Sequence, residues 1–157
     1  METFAVNWQG LIAQGEGSSW RLANRNLAGE LAFAGGGPEP AGPPAIADND
    51  FHHIVAVSEA GVGARFYVDG VLAAETNTAP ALVDNFANIM IGSNPDASDR
   101  SWNGVIDEVA IWGRALSQDE ITGLATATQS LGQQLGLGVP PGPVSYTHLT
   151  LPTTPYV

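Results

Sequence analysis

The chain has 157 residues and a net charge of −11, with 16 acidic residues against five arginines and no lysine. That balance repels phosphate backbones and anionic lipid, which sets aside nucleic-acid and membrane-surface partners. With no cysteine, disulfide frameworks, thiolate metal sites and cysteine nucleophiles are excluded, and no apolar run approaches the ~20 residues of a membrane-crossing helix.

The length is that of one domain, and plentiful Gly and Pro with few charges suit an all-β domain rich in turns. Three strands are expected between residues 4 and 34: Trp8 to Gln14, Trp20 to Ala23, and Leu31 to Phe33. Gly15-Glu16-Gly17-Ser18 and Asn24 to Gly29 supply the turns between them. Gly35 to Pro44, GGGPEPAGPP, reads as a long surface loop, because proline lacks the donor that a central strand needs.

Strand character resumes at Phe51 to Ser58, where Phe51, His53, Val55 and Val57 share one face. Ala64 to Val68 and Val71 to Glu75 flank Asp69-Gly70, a pair suited to the positive φ of a type I′ hairpin turn. That turn puts Val68 opposite Val71 and Phe66 opposite Ala73. Asn88 to Gly92 is a further short strand, followed by a polar loop from Ser93 to Asn103.

Gly104 to Trp112 is rich in β-branched and aromatic residues and reads as the last strand. A helix start follows it. Ser117 and Glu120 have capping-box spacing, and Leu116 and Ile121 are placed as a hydrophobic staple. The domain is expected to span residues 1–127, with a Gly/Pro-rich linker over 128–143. The last fourteen residues, VSYTHLTLPTTPYV, share no character with the rest. They resemble a translated sequencing adapter and are set aside as a non-native tail.

Four pieces, FHHIVAV, ARFYVDGVLAAE, NIMIGS and NGVIDEVAIWGRALSQDEI, together resemble the laminin-G-like, concanavalin A-like domains of large secreted or surface bacterial proteins. Phe51 stands where that family usually has Trp. The likeness spans residues 48 to 122 and is looser from Trp8 to Phe33. It implies an antiparallel two-sheet jelly-roll sandwich with one short helix after the last strand. It also implies an extracellular or cell-surface setting within a longer chain that carries other domains and the signal peptide. Family members begin with further strands before the position of Phe4, so the resemblance implies that N-terminal strands are missing.

The family's fold also hosts glycoside hydrolases, which generally need two carboxyl groups flanking one bond. On a strand Asp107 and Glu108 would face opposite ways, and neither face of Gly104 to Trp112 holds a second acid. No nucleophile-elbow spacing is present. His52 and His53, as strand neighbours, cannot chelate one metal together; one packed and one solvated or hydrogen-bonded is the preferred reading. Two oxygen-rich loops offer ligands for Ca²⁺: one contains Asp48 and Asp50, the other Asp96 and Asp99. Plain solvated loops are preferred even there. For sugar stacking, Trp102 with Arg100 and Asn103 is the candidate at the loop edge, although tucking under the loop is the preferred role of the ring.

The sequence therefore points to a non-catalytic recognition or adhesion module that binds glycan or extracellular protein. A structural spacer without ligand is the alternative, and a truncated glycoside hydrolase-type domain comes third.

Overall fold

In the computed structural model, which describes residues 4–17, 19–35, 39–79, 88–128 and 130–136, two antiparallel sheets face each other. One contains β1 (Gly10–Ala13), β2 (Arg21–Asn24), β3 (Glu30–Ala34), β4 (Ala41–Ala45) and β8 (Met90–Ile91), in the order β4-β3-β2-β1-β8. The other contains β5 (Ile54–Glu59), β6 (Gly63–Val68) and β7 (Val71–Thr76), in that order. The expected two-sheet sandwich is present.

Alternation decides what fills the space between the sheets. Leu22, Leu31 and Phe33 of the first sheet meet Ala64, Phe66 and Val68 of the second, with Ile54 and Ala56 packed against them. The other face of the second sheet is covered as well. Val55, Val57 and Tyr67 lie under Leu116 and Ile121. So the expected Val55/Val57 face is real, and it packs beneath a helix rather than against the first sheet.

That helix, α1 (Gln118–Thr126), starts as its sequence dictates. The Glu120 N–H donates to Ser117 Oγ at 3.3 Å, and the Ser117 N–H donates to the Glu120 carboxylate at 2.8 Å. Leu116 and Ile121 are both buried in the same cluster, so the staple forms. The Gln118 amide reaches the Gly70 carbonyl at 2.7 Å and fixes the helix to the hairpin turn. Ser117→Ala removes one capping acceptor and is expected to lower stability by about 1 kcal/mol. The measurement is the urea midpoint at unchanged m-value, and an unshifted midpoint would mean that packing alone starts α1.

Asp69 and Gly70 adopt positive φ, 52° and 78°, as a type I′ turn requires. Val68 pairs with Val71 as expected. Phe66 does not pair with Ala73: a bulge between Phe66 and Tyr67 shifts it to Ala74. The stretch Gly35 to Pro44 also departs from expectation, because Ala41–Ala45 pairs with β3 as an edge strand. An edge has one side free of ladder bonds, so it tolerates prolines that a central strand would reject. Beyond α1, Ser130 caps a single helical turn, α2 (Leu131–Gln134), inside the stretch expected to be linker. Residues 144–157 lie outside the described residues.

The largest difference concerns Gly104 to Trp112, expected as the last strand. No residue of it belongs to a strand in the structure. At Glu108 φ is +51°, and its N–H donates to Asp107 Oδ1 at 2.9 Å. The Asp side chain offers the backbone a local alternative to the ladder. High β propensity makes a strand only where a neighbour supplies pairing.

Candidate functional site

Three arrangements of polar and aromatic groups stand out, beginning with the loop edge. Glu16, in the turn before β2, accepts at Oε1 from Asn94 Nδ2 at 2.6 Å and from Arg100 Nη1 at 2.8 Å. The Glu16 N–H donates to Asp96 Oδ2 at 2.9 Å, and Arg21 Nε lies 3.7 Å from the Glu16 carboxylate. The loop also closes on itself, with Asp96 N–H donating to Asn94 Oδ1 and Arg100 N–H to the Ala97 carbonyl. Asn94 is 2% exposed, so its amide acts as a buried pin. Gly10 lets this loop approach β1: a Cβ there would lie 2.8 Å from the Ser93 carbonyl oxygen.

The ligand residues expected from the sequence do not converge on this edge. Arg100 turns to Glu16. Trp102 is half-buried, packs against the inter-sheet core and meets Phe4 with ring centroids 4.9 Å apart. It is tucked under the loop, the role preferred from the sequence. Asn103 is exposed at the rim of the cleft described below. Among the other tryptophans, Trp20 and Trp112 pack on the two cores, whereas Trp8 lies under the Arg21 guanidinium, 5.0 Å from its ring centroid.

The four candidate calcium ligands fall in two loops. Asp48 and Asp50 precede β5, and Asp96 and Asp99 follow β8. Asp48 Oδ1 already accepts the Asp50 N–H at 3.0 Å. Among the described residues, no group of three or more His, Asp and Glu side chains is arranged to hold a metal ion.

The second arrangement is a clamped imidazole. His52 Nδ1 lies 2.8 Å from Asp69 Oδ2, and its Nε2 lies 3.0 Å from Asp48 Oδ2. With both ring nitrogens on carboxylates, the doubly protonated ring is favoured, and the bond to Asp69 above all raises the His52 pKa. Asp48 is held below the usual carboxylate range by the Asp50 N–H and then by His52. For Asp69 burial pushes upward, but His52 and the His53 N–H, which donates to Oδ1 at 2.9 Å, bring the net shift down. His53 is instead lowered, by burial. One histidine is hydrogen-bonded and the other packed, as read from the sequence.

The two neighbours thus titrate with opposite consequences. His52, raised in the folded state, stabilises fully below its unfolded 6.5 and loses that contribution as pH rises through its folded value. His53, lowered, has its contribution above 6.5 and loses it as pH falls through its folded value. His52→Gln is therefore expected to destabilise at pH 6 and progressively less toward pH 9. Melting both proteins across that range checks it, and a pH-independent difference would show the clamp is not ionic.

The third arrangement is a cleft of about 1110 Å³. Leu11, Ile12 and Phe33 line it from the first sheet, residues 54–58 form one wall and residues 102–116 the other. Asp107 and Glu108 sit on that second wall. They are not the opposed strand neighbours expected, since Glu108 leaves the extended conformation. Both Glu108 carboxylate oxygens accept the Leu131 N–H, at 3.1 Å each, so the side chain is committed to the start of α2.

Two facing antiparallel sheets and a capped helix after the last apolar run agree with the comparison to known families. A laminin-G-type profile of the concanavalin A-like lectin/glucanases superfamily matches residues 3–122. The chain belongs to this superfamily. Among solved structures, this concanavalin A-like domain is similar to residues 221–444 of an S-layer domain-containing protein from Clostridium thermocellum. Identity is 23%, the match covers 78% of this chain and 67% of that one, and the TM-score is 0.42. No protein with a curated description matches the sequence. Because the superfamily's name joins lectins and glucanases, membership leaves activity to be argued from the side chains. The Glu16 network and the His52 clamp escaped sequence reasoning; each joins residues remote in the chain, and no short motif marks either.

Proposed function

We propose that this concanavalin A-like domain is a non-catalytic recognition module of a larger surface or secreted bacterial protein. It binds glycan or protein at the loop edge between Ser93 and Ser101. The observation that supports this reading is the fixing of that loop by Glu16 through Asn94 and Arg100. A preorganised polar loop loses little ordering entropy on binding, which favours recognition through hydrogen bonds. Against catalysis, Glu108 is tied to α2 and so is withdrawn from any carboxylate pair.

A spacer without ligand is the second reading, favoured by the half-buried position of Trp102, which leaves no stacking platform from that ring. A glycan array together with pull-down of surface proteins, on wild type and Arg100→Ala, separates the two. Binding that Arg100→Ala weakens supports the module, and absence of any binding in both formats supports the spacer.

Recognition at that loop does not depend on calcium in this proposal. With the acidic side chains unconverged, the melting midpoint in millimolar Ca²⁺ is expected to equal that in Mg²⁺. A calcium-specific rise would instead make ligands of Asp48 and Asp50 or of Asp96 and Asp99.

A further inference from the structure

Trp8 stands in a conformation that its side chain resists. Its φ is +64°, in the left-handed region, where a bulky residue is an outlier and glycine is at ease. Two bonds hold it there. The Trp8 N–H donates to the Asn24 carbonyl at 2.7 Å, and the next N–H, of Gln9, donates to Asn24 Oδ1. Core packing does not account for the strain, since Trp8 is half-buried and joins neither hydrophobic cluster formed by the described residues. Its ring instead carries the Arg21 guanidinium, 5.0 Å from the centroid. Backbone strain of this kind collects where function needs a side chain in one place.

The surroundings of the ring point to a ligand. Arg21 and Gln9 are 9% and 4% exposed, yet Arg21 Nε and Nη1 and Gln9 Oε1 have no hydrogen-bond partner among the described residues. Buried polar atoms left this way are rare in folded proteins and call for a reason. Trp8 also borders the loop edge. Gln9 Nε2 donates to the Ser101 carbonyl at 2.6 Å, and the Gly10 N–H donates to that of Arg100 at 2.9 Å. Arg21 Nε lies 3.7 Å from Glu16 Oε1, so one guanidinium spans the ring and the carboxylate. Among the described residues Glu16 Oε1 takes every contact to that carboxylate, which leaves Oε2 to accept. Arg100 and the hydroxyls of Ser93 and Ser101, 3.5 Å apart, are partly open to solvent. Donors and acceptors around one fixed aromatic ring suit an apolar face rimmed by hydroxyls, which is the chemistry of a pyranose. With Glu16, Asp96 and Asp99 at this edge and −11 overall, an acidic sugar is repelled.

We propose that Trp8 is the sugar-stacking platform of the loop edge and that its ligand is a neutral pyranose unit of a glycan. Arg21 fixes the indole, and Glu16, Arg100 and Ser101 meet the sugar hydroxyls at its margin. On the reading of Ser93 to Ser101 as a recognition edge, which this inference presupposes, Trp8 plays the part that Trp102, tucked beneath the loop, does not.

The test is calorimetric titration of the full chain with cellohexaose, xylohexaose, mannohexaose and laminarihexaose, with hexagalacturonate as the acidic control. At least one neutral hexamer is expected to bind, and the control is not. Trp8→Gly is the deciding variant, because glycine relieves the strained φ while the ring is removed. It is expected to weaken binding about tenfold and to leave the melting midpoint at or above that of wild type. Trp8→Phe, with a smaller ring, retains part of the affinity. No binding of any neutral hexamer, or tighter binding of hexagalacturonate, overturns the proposal. Trp8→Gly binding as wild type does so too, as does a lowered midpoint, which would make the ring a packing element. Arg100→Ala separates this inference from the reading beneath it. Binding that Arg100→Ala weakens and Trp8→Gly does not keeps the recognition edge and removes Trp8 from it. Capture of a surface protein with no sugar bound has the same meaning, and no binding in either format removes both.

Discussion

Phe66→Ala is expected to lower stability by about 4 kcal/mol, in the upper part of the range for emptying a large aromatic site in a packed core. Phe66 is 1% exposed and sits among Leu22, Leu31, Phe33 and Val68, where the two sheets meet. The lost burial and the hole left behind add, because neighbours anchored in two separate sheets cannot collapse together to fill it. A domain stable by only ~5–15 kcal/mol would be left close to unfolding. Urea unfolding checks the size, and Phe66→Leu, which keeps most of the volume, should cost under half as much. A loss near 1 kcal/mol for the alanine variant would mean that the sheets close onto the hole.

The second large effect is expected at Asn24, a polar side chain with no solvent exposure at all. Its Nδ2 donates to the Val6 and Asn26 carbonyls, each at 3.1 Å, and its Oδ1 accepts the Gln9 N–H. This amide joins the backbone bonds of Phe4 to Leu27 and of Trp8 and Gln9 to Asn24 in holding the N-terminal approach to β1. Asn24→Leu keeps the volume but strands a buried N–H and two carbonyls, for a loss of about 3 kcal/mol. The loss should have a place as well as a size. Residues 4–9 come free, exchange at Gln9 quickens, and Trp102 emission shifts as Phe4 leaves its ring. Global destabilisation without that local loosening would assign Asn24 to β2–β3 pairing alone.

What was legible in the sequence was local chemistry. Asp69-Gly70 carries its turn in its own φ preferences, and Ser117 with Glu120 forms a cap from residues three apart. At Glu120 the consequence is visible electrically: Arg114 first, and the Ser117 N–H second, hold its carboxyl down at about 2. What was not legible depends on partners distant in the chain. Gly104 to Trp112 has every strand propensity, yet pairing is a property of the neighbour and not of the residue. AGPPA reads as loop until β3 offers it an edge. The bulge at Phe66 follows from accommodation between strands, and alternation alone cannot place it. Among the candidate site residues, Trp102 went under the loop because Phe4, from the far end of the domain, meets it there. His52 found Asp69 seventeen residues away, a contact made only once the hairpin turn has formed.

The proline-bearing edge strand has one more consequence. β4 ends the five-stranded sheet, and Pro43 and Pro44 carry no N–H, so that flank cannot donate a full row of bonds to another molecule. The opposite end of the same sheet is β8, with Met90 and Ile91 exposed and no proline. Self-association of this domain under stress therefore has a direction. Within the five-stranded sheet, strand addition is disfavoured at β4 and left to the β8 side, where a single charged substitution at Ile91 would slow it.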